Sequence, residues 1–526
     1  MIMMSGPIRK NIVLIIRDGW GINHNPRYNA VINANTPNAD MLLKKYPHTI
    51  LKTSGTSVGL PTGYQGSSEV GHLIIGAGRV IPQELKRIND GIKDETFFKN
   101  PNFQRVITNC LLNKSSLHLM GLIQDAGVHA HQEHLFAVMR YLKEKKIKKV
   151  YIHFFSDGRD TAPRSALQFL RVVNEKIRDY QIGEIATLMG RYYAMDRGKV
   201  WDLTTQAYDA LTRAKGCNVT SAEEAIKRAY NEDKTPDRTP MTDEYIIPSI
   251  IGDFPGIKDG DSVIHLNYRQ DRAIQLTMSF VEDNYPGERW KKLDITYCGF
   301  TRYYDTFPFY ILEPINECIP NTLGEVISNG GLRQLRIAET QKFRHVTSFF
   351  NGKRIKSYPK EDQVEIRSSY DPAMFADHPE MNAFDVTKEV INRIEPKKYN
   401  LIVLNYANCD MVGHTGNYDV AKKAVEVVDK CVGEVIKKVL LHNSIALITA
   451  DHGNVEEMID YQTKLPKTSH TTNPVEFIYV AKDYKRVKIR SSGYLSDIAP
   501  TILYLLGINI PKEMTGKSLI IIDNLI

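Results

Sequence analysis

The sequence predicts an α/β protein of two domains, one built from both chain ends around a second inserted between them. Three observations lead there. Asn11–Ile16 (NIVLII), Leu401–Leu404 (LIVL) and Ser444–Ala450 (SIALITA) are short apolar runs, β-branched, unalternating and bounded by polar residues. Strands covered on both faces of a parallel sheet have that character. Helical patterns lie between and after them, the alternation of a layered fold. Each run also leads into acidic residues: Arg17-Asp18-Gly19, Asn405-Tyr406-Ala407-Asn408-Cys409-Asp410, and Asp451-His452-Gly453. Open parallel sheets bind ligands just outside the carboxyl ends of their strands. The first run stands near the start of the chain and the other two near its end, so one domain must gather both.

Taken in order, Pro37–Tyr46 reads as a helix with Thr36 as its N-cap and proline at the first helical position. Arg79–Glu84 and Leu312–Glu317 are polar, proline-containing segments and mark the linkers. They place residues 1–82 and 317–526 in the discontinuous domain and 83–316 in the insertion. Lys143–Lys149 reads as the solvated end of a helix, and Tyr230–Asp243, polar with two prolines, as a loop. Val420–Leu440 aligns Val420, Ala424, Val427, Val428, Cys431, Val435 and Val439 in one helical stripe. Ser496–Leu506 is a helix stopped by Gly507.

The chain has 526 residues, 42% hydrophobic and 25% charged, which excludes disordered and collagen-like classes. Its 68 basic and 61 acidic residues leave +7, a small excess for this length. Basic and acidic residues alternate rather than forming a stripe with aromatics, so no nucleic-acid partner is expected. No apolar run approaches the roughly eighteen residues of a membrane span. Met1–Lys10 holds no apolar signal core. The cysteines, Cys110, Cys217, Cys298, Cys318, Cys409 and Cys431, form no C-x-x-C pair, which argues against a disulfide framework or zinc ribbon. A cytoplasmic protein without a membrane partner is expected.

Asp18, Asp410, His414, Asp451, His452 and His470 give three carboxylates and three imidazoles, mostly at strand ends. Such mixed oxygen and nitrogen donors suit Mn²⁺ or Zn²⁺ and less readily Mg²⁺. Without a cation the crowded carboxylates would be costly. In Leu60–Val80 (LPTGYQGSSEVGHLIIGAGRV), Ser68 follows a glycine-rich loop at a helix start. On local sequence alone, Ser67 or Ser68 serves as a cap. A nearby metal would instead make Ser68 a nucleophile, since coordination lowers the pKa of a hydroxyl. In the insertion, Asp125-Ala126-Gly127-Val128-His129, Gly158-Arg159-Asp160, Gly190–Arg197 and Arg269-Gln270-Asp271-Arg272 carry five arginines. Surface salt bridges are the plain use of each. Several follow expected strands, however, and arginine forks match phosphate and carboxylate, so a small polyanionic substrate is expected.

SSEVGH, IGAGR, GLIQDAGVHAH, DGRDT, GRYYAMDR, RQDR, QLRIAETQKF, DMVGHTG, TADHGN and SHTTNPV, in that order, resemble the cofactor-independent (2,3-bisphosphoglycerate-independent) phosphoglycerate mutases of the alkaline phosphatase superfamily. The likeness runs from Asp18 to Ser518 and implies an alkaline-phosphatase-like sheet domain with an inserted transferase domain. It implies interconversion of 3-phosphoglycerate and 2-phosphoglycerate through a phosphoserine at Ser68. Two Mn²⁺ per chain are implied, with Mg²⁺, Co²⁺ or Zn²⁺ as substitutes: one on Asp410, His414 and His470, the other on Asp18, Ser68, Asp451 and His452. His129, Arg159, Asp160, Arg191, Arg197, Arg269, Arg272 and Lys342 match substrate-binding positions, with Asp160 as candidate general base and Lys342 balancing charge. A monomer is expected, with the domains closing over substrate to exclude water. A phosphopentomutase or metal-dependent phosphatase would share the metal ligands but not GRYYAMDR and RQDR; a metalloprotease lacks its H-E-x-x-H. Two departures stand out: Arg17 where the family usually has an apolar residue, and Cys409 where proline is common. Cys409, beside a metal-binding aspartate, is expected to make the site oxidant-sensitive.

Overall fold

Ile12–Arg17 is buried along its whole length because it is a central strand, paired in parallel with Leu401–Tyr406 on one side and Ile445–Thr449 on the other. In the computed structural model the described residues are 11–236, 238–312, 319–371, 374–394 and 398–522. They divide into two units, Met1–Gln83 with Ile315–Ile526, and Glu84–Pro314. All but the first residue of the expected Leu312–Glu317 linker lies outside the described residues.

The sheet of the first unit runs Glu361–Ile366, Gln334–Glu339, Leu401–Tyr406, Ile12–Arg17, Ile445–Thr449, Val475–Val480, His48–Lys52 and Ser492–Tyr494. Its first five strands are parallel, and Val475–Val480 is antiparallel to both of its neighbours. Register decides what the sheet presents. Ile16 lies opposite both Asn405 and Thr449, so three strands end level and release Asp18, Asp410 and Asp451 along one edge. Helix Tyr418–Leu441 covers one face through Ala421, Ala424, Val425, Val428, Val432, Val435, Ile436 and Val439. Five of the seven residues of the expected stripe, Ala424, Val428, Cys431, Val435 and Val439, are buried in this face, and Val420 and Val427 are half-buried at its margin.

Two local expectations are corrected. Thr36 precedes helix Pro37–Lys45 but makes no side-chain cap. Asp429 takes over, accepting from Ala39 N at 2.7 Å and Asn38 N at 3.1 Å, so a carboxylate from another helix satisfies the free N–H groups. The expected loop Tyr230–Asp243 is helical as far as Glu232. Ser221 caps this helix, Ala222–Glu232, by accepting from Glu224 N.

The second unit has a sheet in the order Cys217–Val219, Ser249–Ile251, Glu184–Gly190, Val150–Ser156, Leu117–Leu122, Ser262–His265, Thr296–Gly299. Every pairing is parallel except Glu184–Gly190 with Ser249–Ile251. Four adjacent strands therefore open at one edge: Leu117–Leu122 before His129, Val150–Ser156 before Asp157 to Asp160, Glu184–Gly190 before Arg191, and Ser262–His265 before Arg269.

Candidate active site

At the carboxyl edge of the first sheet the backbone is pressed together. Gly19 has φ +78°, and a Cβ there would lie 2.8 Å from the Asp410 backbone. A Cβ on Gly71 would stand 2.8 Å from Asp451 Cβ. These approaches bring helix Ser68–Ala77 against the strand ends. Ser67 is its cap, accepting from Val70 N. Ser68 begins the helix with its hydroxyl free for other partners, which decides the choice local sequence left open.

Ser68 Oγ lies 3.1 Å from Asp18 Oδ1, 2.9 Å from His452 Nε2 and 2.5 Å from Lys342 Nζ. Lys342 Nζ also donates to Asp18 Oδ1 at 2.8 Å and Asp410 Oδ2 at 2.6 Å. Asp410 Oδ1 is 3.0 Å from His470 Nε2 and 3.2 Å from His414 Nε2. The ligand atoms of Asp410, His452 and His470 lie within 4.8 Å of one another, as do those of Asp18, Asp451 and His452. His452 belongs to both groups. His414 is the most open member, its side chain 42% exposed.

The donor set fits divalent cations. His414 Nδ1 lies 2.6 Å from Thr468 O, His470 Nδ1 2.9 Å from Gly66 O and His452 Nδ1 3.3 Å from Gly453 O. Carbonyls can only accept, so each ring places a proton on Nδ1 and, when neutral, turns an Nε2 lone pair inward, the usual arrangement of a metal-ligating histidine. Asp451 Oδ2 is buried with no well-formed hydrogen bond. Three carboxylates share Lys342 as their ammonium. Burial first, and then Asp451, push the Asp18 carboxyl up to about 6. Burial alone would raise Asp410 too, but Lys342, His470 and His414 hold it well below the usual range. Burial works against the Lys342 ammonium, yet Asp18, Asp410 and Asp451 raise its pKa. Burial lowers His452 and His470, keeping both neutral.

The inserted unit presents the opposite charge. Arg191, 1% exposed, donates from Nη1 to Asp157 at 2.5 Å and Asp160 at 2.6 Å. His129 stands 3.9 Å from Asp160 and 3.7 Å from Asp271. Its carbonyl accepts from Tyr268 N at 2.8 Å, fixing its loop to the segment bearing the last arginines. Arg197 pairs with Asp271, and Arg269 lies 3.3 Å from the same carboxylate. Arg159 is exposed, 3.5 Å from Glu244, while Arg272 donates to Met195 O at 3.2 Å. Burial, then Arg191, Arg269, Arg272 and Arg197, push His129 down to about 2. Burial, and then its neighbouring arginines, also lower Arg272. Positive charge is in surplus, and an anion would relieve it.

Sequence reasoning missed His72, Asn405, Asn454 and Asp157. His72 stands four residues after Ser68, one helical turn on, which was a signal; Asn405, the polar residue ending an otherwise apolar run, gave none. Asn454 Nδ2 donates to Asp410 Oδ1 at 3.1 Å. The oxidant-sensitive role expected of Cys409 is corrected. The residue is fully buried and its thiol is pushed far up by burial, which leaves no reactive thiolate. Arg17 is buried as well, paired with Glu476 at 2.7 Å and lying over the Trp20 ring.

The metalloenzyme superfamily matches residues 10–510. The 2,3-bisphosphoglycerate-independent phosphoglycerate mutase of Clostridium tetani is 48% identical over 516 residues, 97% of this chain and 99% of the relative. That of Clostridium botulinum is 47% identical over 521 residues, 97% and 99% of the two chains. The crystal structure of Leishmania mexicana phosphoglycerate mutase at low cobalt concentration shares the fold, with a TM-score of 0.78 and 29% identity over 98% of each chain.

Proposed function

The chain belongs to the 2,3-bisphosphoglycerate-independent phosphoglycerate mutases, and from this premise we propose that it interconverts 3-phosphoglycerate and 2-phosphoglycerate, in glycolysis and gluconeogenesis, through a phosphoserine at Ser68. The carrying observation is the convergence of Asp18, His452 and Lys342 on Ser68 Oγ within 3.1 Å. Asp18 Oδ1 can accept the hydroxyl proton, while the ammonium steadies the alkoxide.

Asp18, Ser68, Asp451 and His452 would hold one divalent ion, and Asp410, His414 and His470 the other; two Mn²⁺ are proposed, replaceable by Mg²⁺, Co²⁺ or Zn²⁺. Such ions supply Lewis-acid activation of the hydroxyl and neutralise phosphoryl oxygens. Ser68 Oγ forms its bond to phosphorus as the bond to the glycerate oxygen breaks, and the proton given up by Ser68 ends on that oxygen. Lys342 balances charge on the transferring group. Arg191, Arg197, Arg269, Arg272 and Arg159 retain the glycerate by its carboxylate, so that its other hydroxyl can attack phosphoserine and return Ser68. Asp160, held by Arg191, takes the proton from that hydroxyl. His129 stays neutral and serves as a hydrogen-bonding group. A monomer working in the cytoplasm is proposed; among the described residues no helix is long and apolar enough to cross a membrane.

An enolase-coupled assay with 3-phosphoglycerate and Mn²⁺, without 2,3-bisphosphoglycerate, tests this reading. Turnover is expected, and none at all from folded, metal-loaded protein would overturn it.

A further inference from the structure

His72 and Asn405 are both 0% exposed and neither enters the chemistry above. Asn405 Nδ2 lies 2.7 Å from Asp18 Oδ2 and 3.0 Å from His72 Nε2. An amide nitrogen has two hydrogens to give and no lone pair to accept with. It therefore donates to both, and His72 Nε2 must be the acceptor. The proton of the neutral imidazole then sits on Nδ1, which lies 2.9 Å from Ser68 O and 3.2 Å from Asp451 Oδ2. An unbroken chain runs Asp18–Asn405–His72–Ser68 backbone, with Asp451 beside its last link.

That chain divides the labour of the Asp18 carboxylate. Oδ2 is occupied by Asn405, so Oδ1 alone faces Ser68 Oγ and Lys342 Nζ. At the other end, Asp451 Oδ1 accepts from His452 N at 3.1 Å, and Oδ2 is left between His72 Nδ1 and His452 Nε2, 3.6 Å away. Asp18 and Asp451 are both fully buried, with ligand atoms within 4.8 Å of one another, and two carboxylates so placed repel. Something must fix which oxygens they turn toward the centre, and buried groups with settled donor roles do this well.

We infer that His72 and Asn405 are positioning residues that orient Asp18 and Asp451 toward the metal centre and hold the Ser68 backbone in register with them. This rests on the reading of Ser68 and the two aspartates given above. The test dissects the imidazole by its two nitrogens. His72→Asn keeps a donor near Nδ1 and removes the Nε2 acceptor, whereas His72→Gln keeps a polar atom near Nε2 and removes the Nδ1 donor. Asn405→Ala and Asn405→Gln complete the set. Mn²⁺ affinity is read on metal-stripped protein by equilibrium dialysis, and kcat and KM on reloaded enzyme.

Asn405→Ala should weaken Mn²⁺ binding about 10- to 100-fold. His72→Gln should lower kcat by about the same factor with KM nearly unchanged, and His72→Asn should retain more kcat than His72→Gln. Unchanged Mn²⁺ affinity and kcat in folded variants would overturn the inference. So would a loss of activity that merely follows a loss of folded protein by melting. If wild-type protein binds Mn²⁺ but fails the enolase-coupled assay, the functional reading falls while the dialysis result still judges the positioning chain.

Discussion

The first unit gathers Asp18, Asp410 and Asp451 past its strand ends around the Lys342 ammonium, while the second gathers Arg191, Arg197 and Arg269 around Asp157, Asp160 and Asp271, with Arg159 on Glu244 and Arg272 on the Met195 carbonyl. Both use the carboxyl edge of a largely parallel sheet. Their charge is inverted, and so is the ligand each needs. Carboxylates in excess, facing imidazole lone pairs, call for cations. Arginines in excess, which add to burial in pushing His129 down to about 2, call for an anion. Divalent cations would answer the first need and an anionic substrate the second, and a water-using phosphatase would require only the first cluster.

The sharpest way to break this contrast is at Ser68. Ser68→Ala should reduce turnover below about one thousandth of wild type, because the proposed carrier of the phosphate is gone. Melting temperature should move little, since Ser67 and not Ser68 caps the helix. Retained turnover by the enolase-coupled assay would remove the phosphoserine and leave the first cluster a binding site only.

A smaller effect is expected from Arg191→Lys. Both of its bonds, to Asp157 and to Asp160, leave from Nη1 and could be copied by an ammonium, but lysine lacks the remaining planar donors of the guanidinium, of which Nε has no partner. The variant should lose about 10- to 100-fold in kcat/KM, with Mn²⁺ affinity of the stripped protein unchanged. A fall in Mn²⁺ affinity would show that the two clusters do not divide the work as their charges suggest.

What could be read in the sequence follows from what is local. Unalternating apolar runs ending in acids were legible because strand burial and strand ends both leave their mark within a few residues. Asn405 was not, since one polar residue after LIVL looks like the end of a strand rather than a donor to Asp18. Ser67 and Ser68 could not be told apart, because a cap and a nucleophile use the same residue type and only the partners across the fold differ. Thr36 misled for a related reason: the acceptor for its helix, Asp429, lies far away in sequence. Cys409 misled in the opposite way, as adjacency to Asp410 suggested chemistry that complete burial prevents.

The smallest predicted effect separates the site from the scaffold of its own unit. His129 is pushed down by burial and by four arginines, whereas His265 is pushed to about 3 by burial alone. His265 Nδ1 faces Tyr297 OH at 3.0 Å, and its Nε2 has no partner. A histidine whose folded pKa lies below its unfolded value of about 6.5 costs nothing above that pH. Stability then falls as pH drops from about 6.5 toward 3, because the unfolded chain takes up a proton that the folded one refuses, at about 1.4 kcal/mol per pH unit. His265→Gln removes that difference. Between about pH 7.5 and pH 5 the variant should lose roughly 2 kcal/mol less stability than the parent in denaturant titrations, with KM for 3-phosphoglycerate unchanged. If KM shifts instead, His265 is linked to the arginine cluster, and the line drawn between scaffold and site in this unit is in the wrong place.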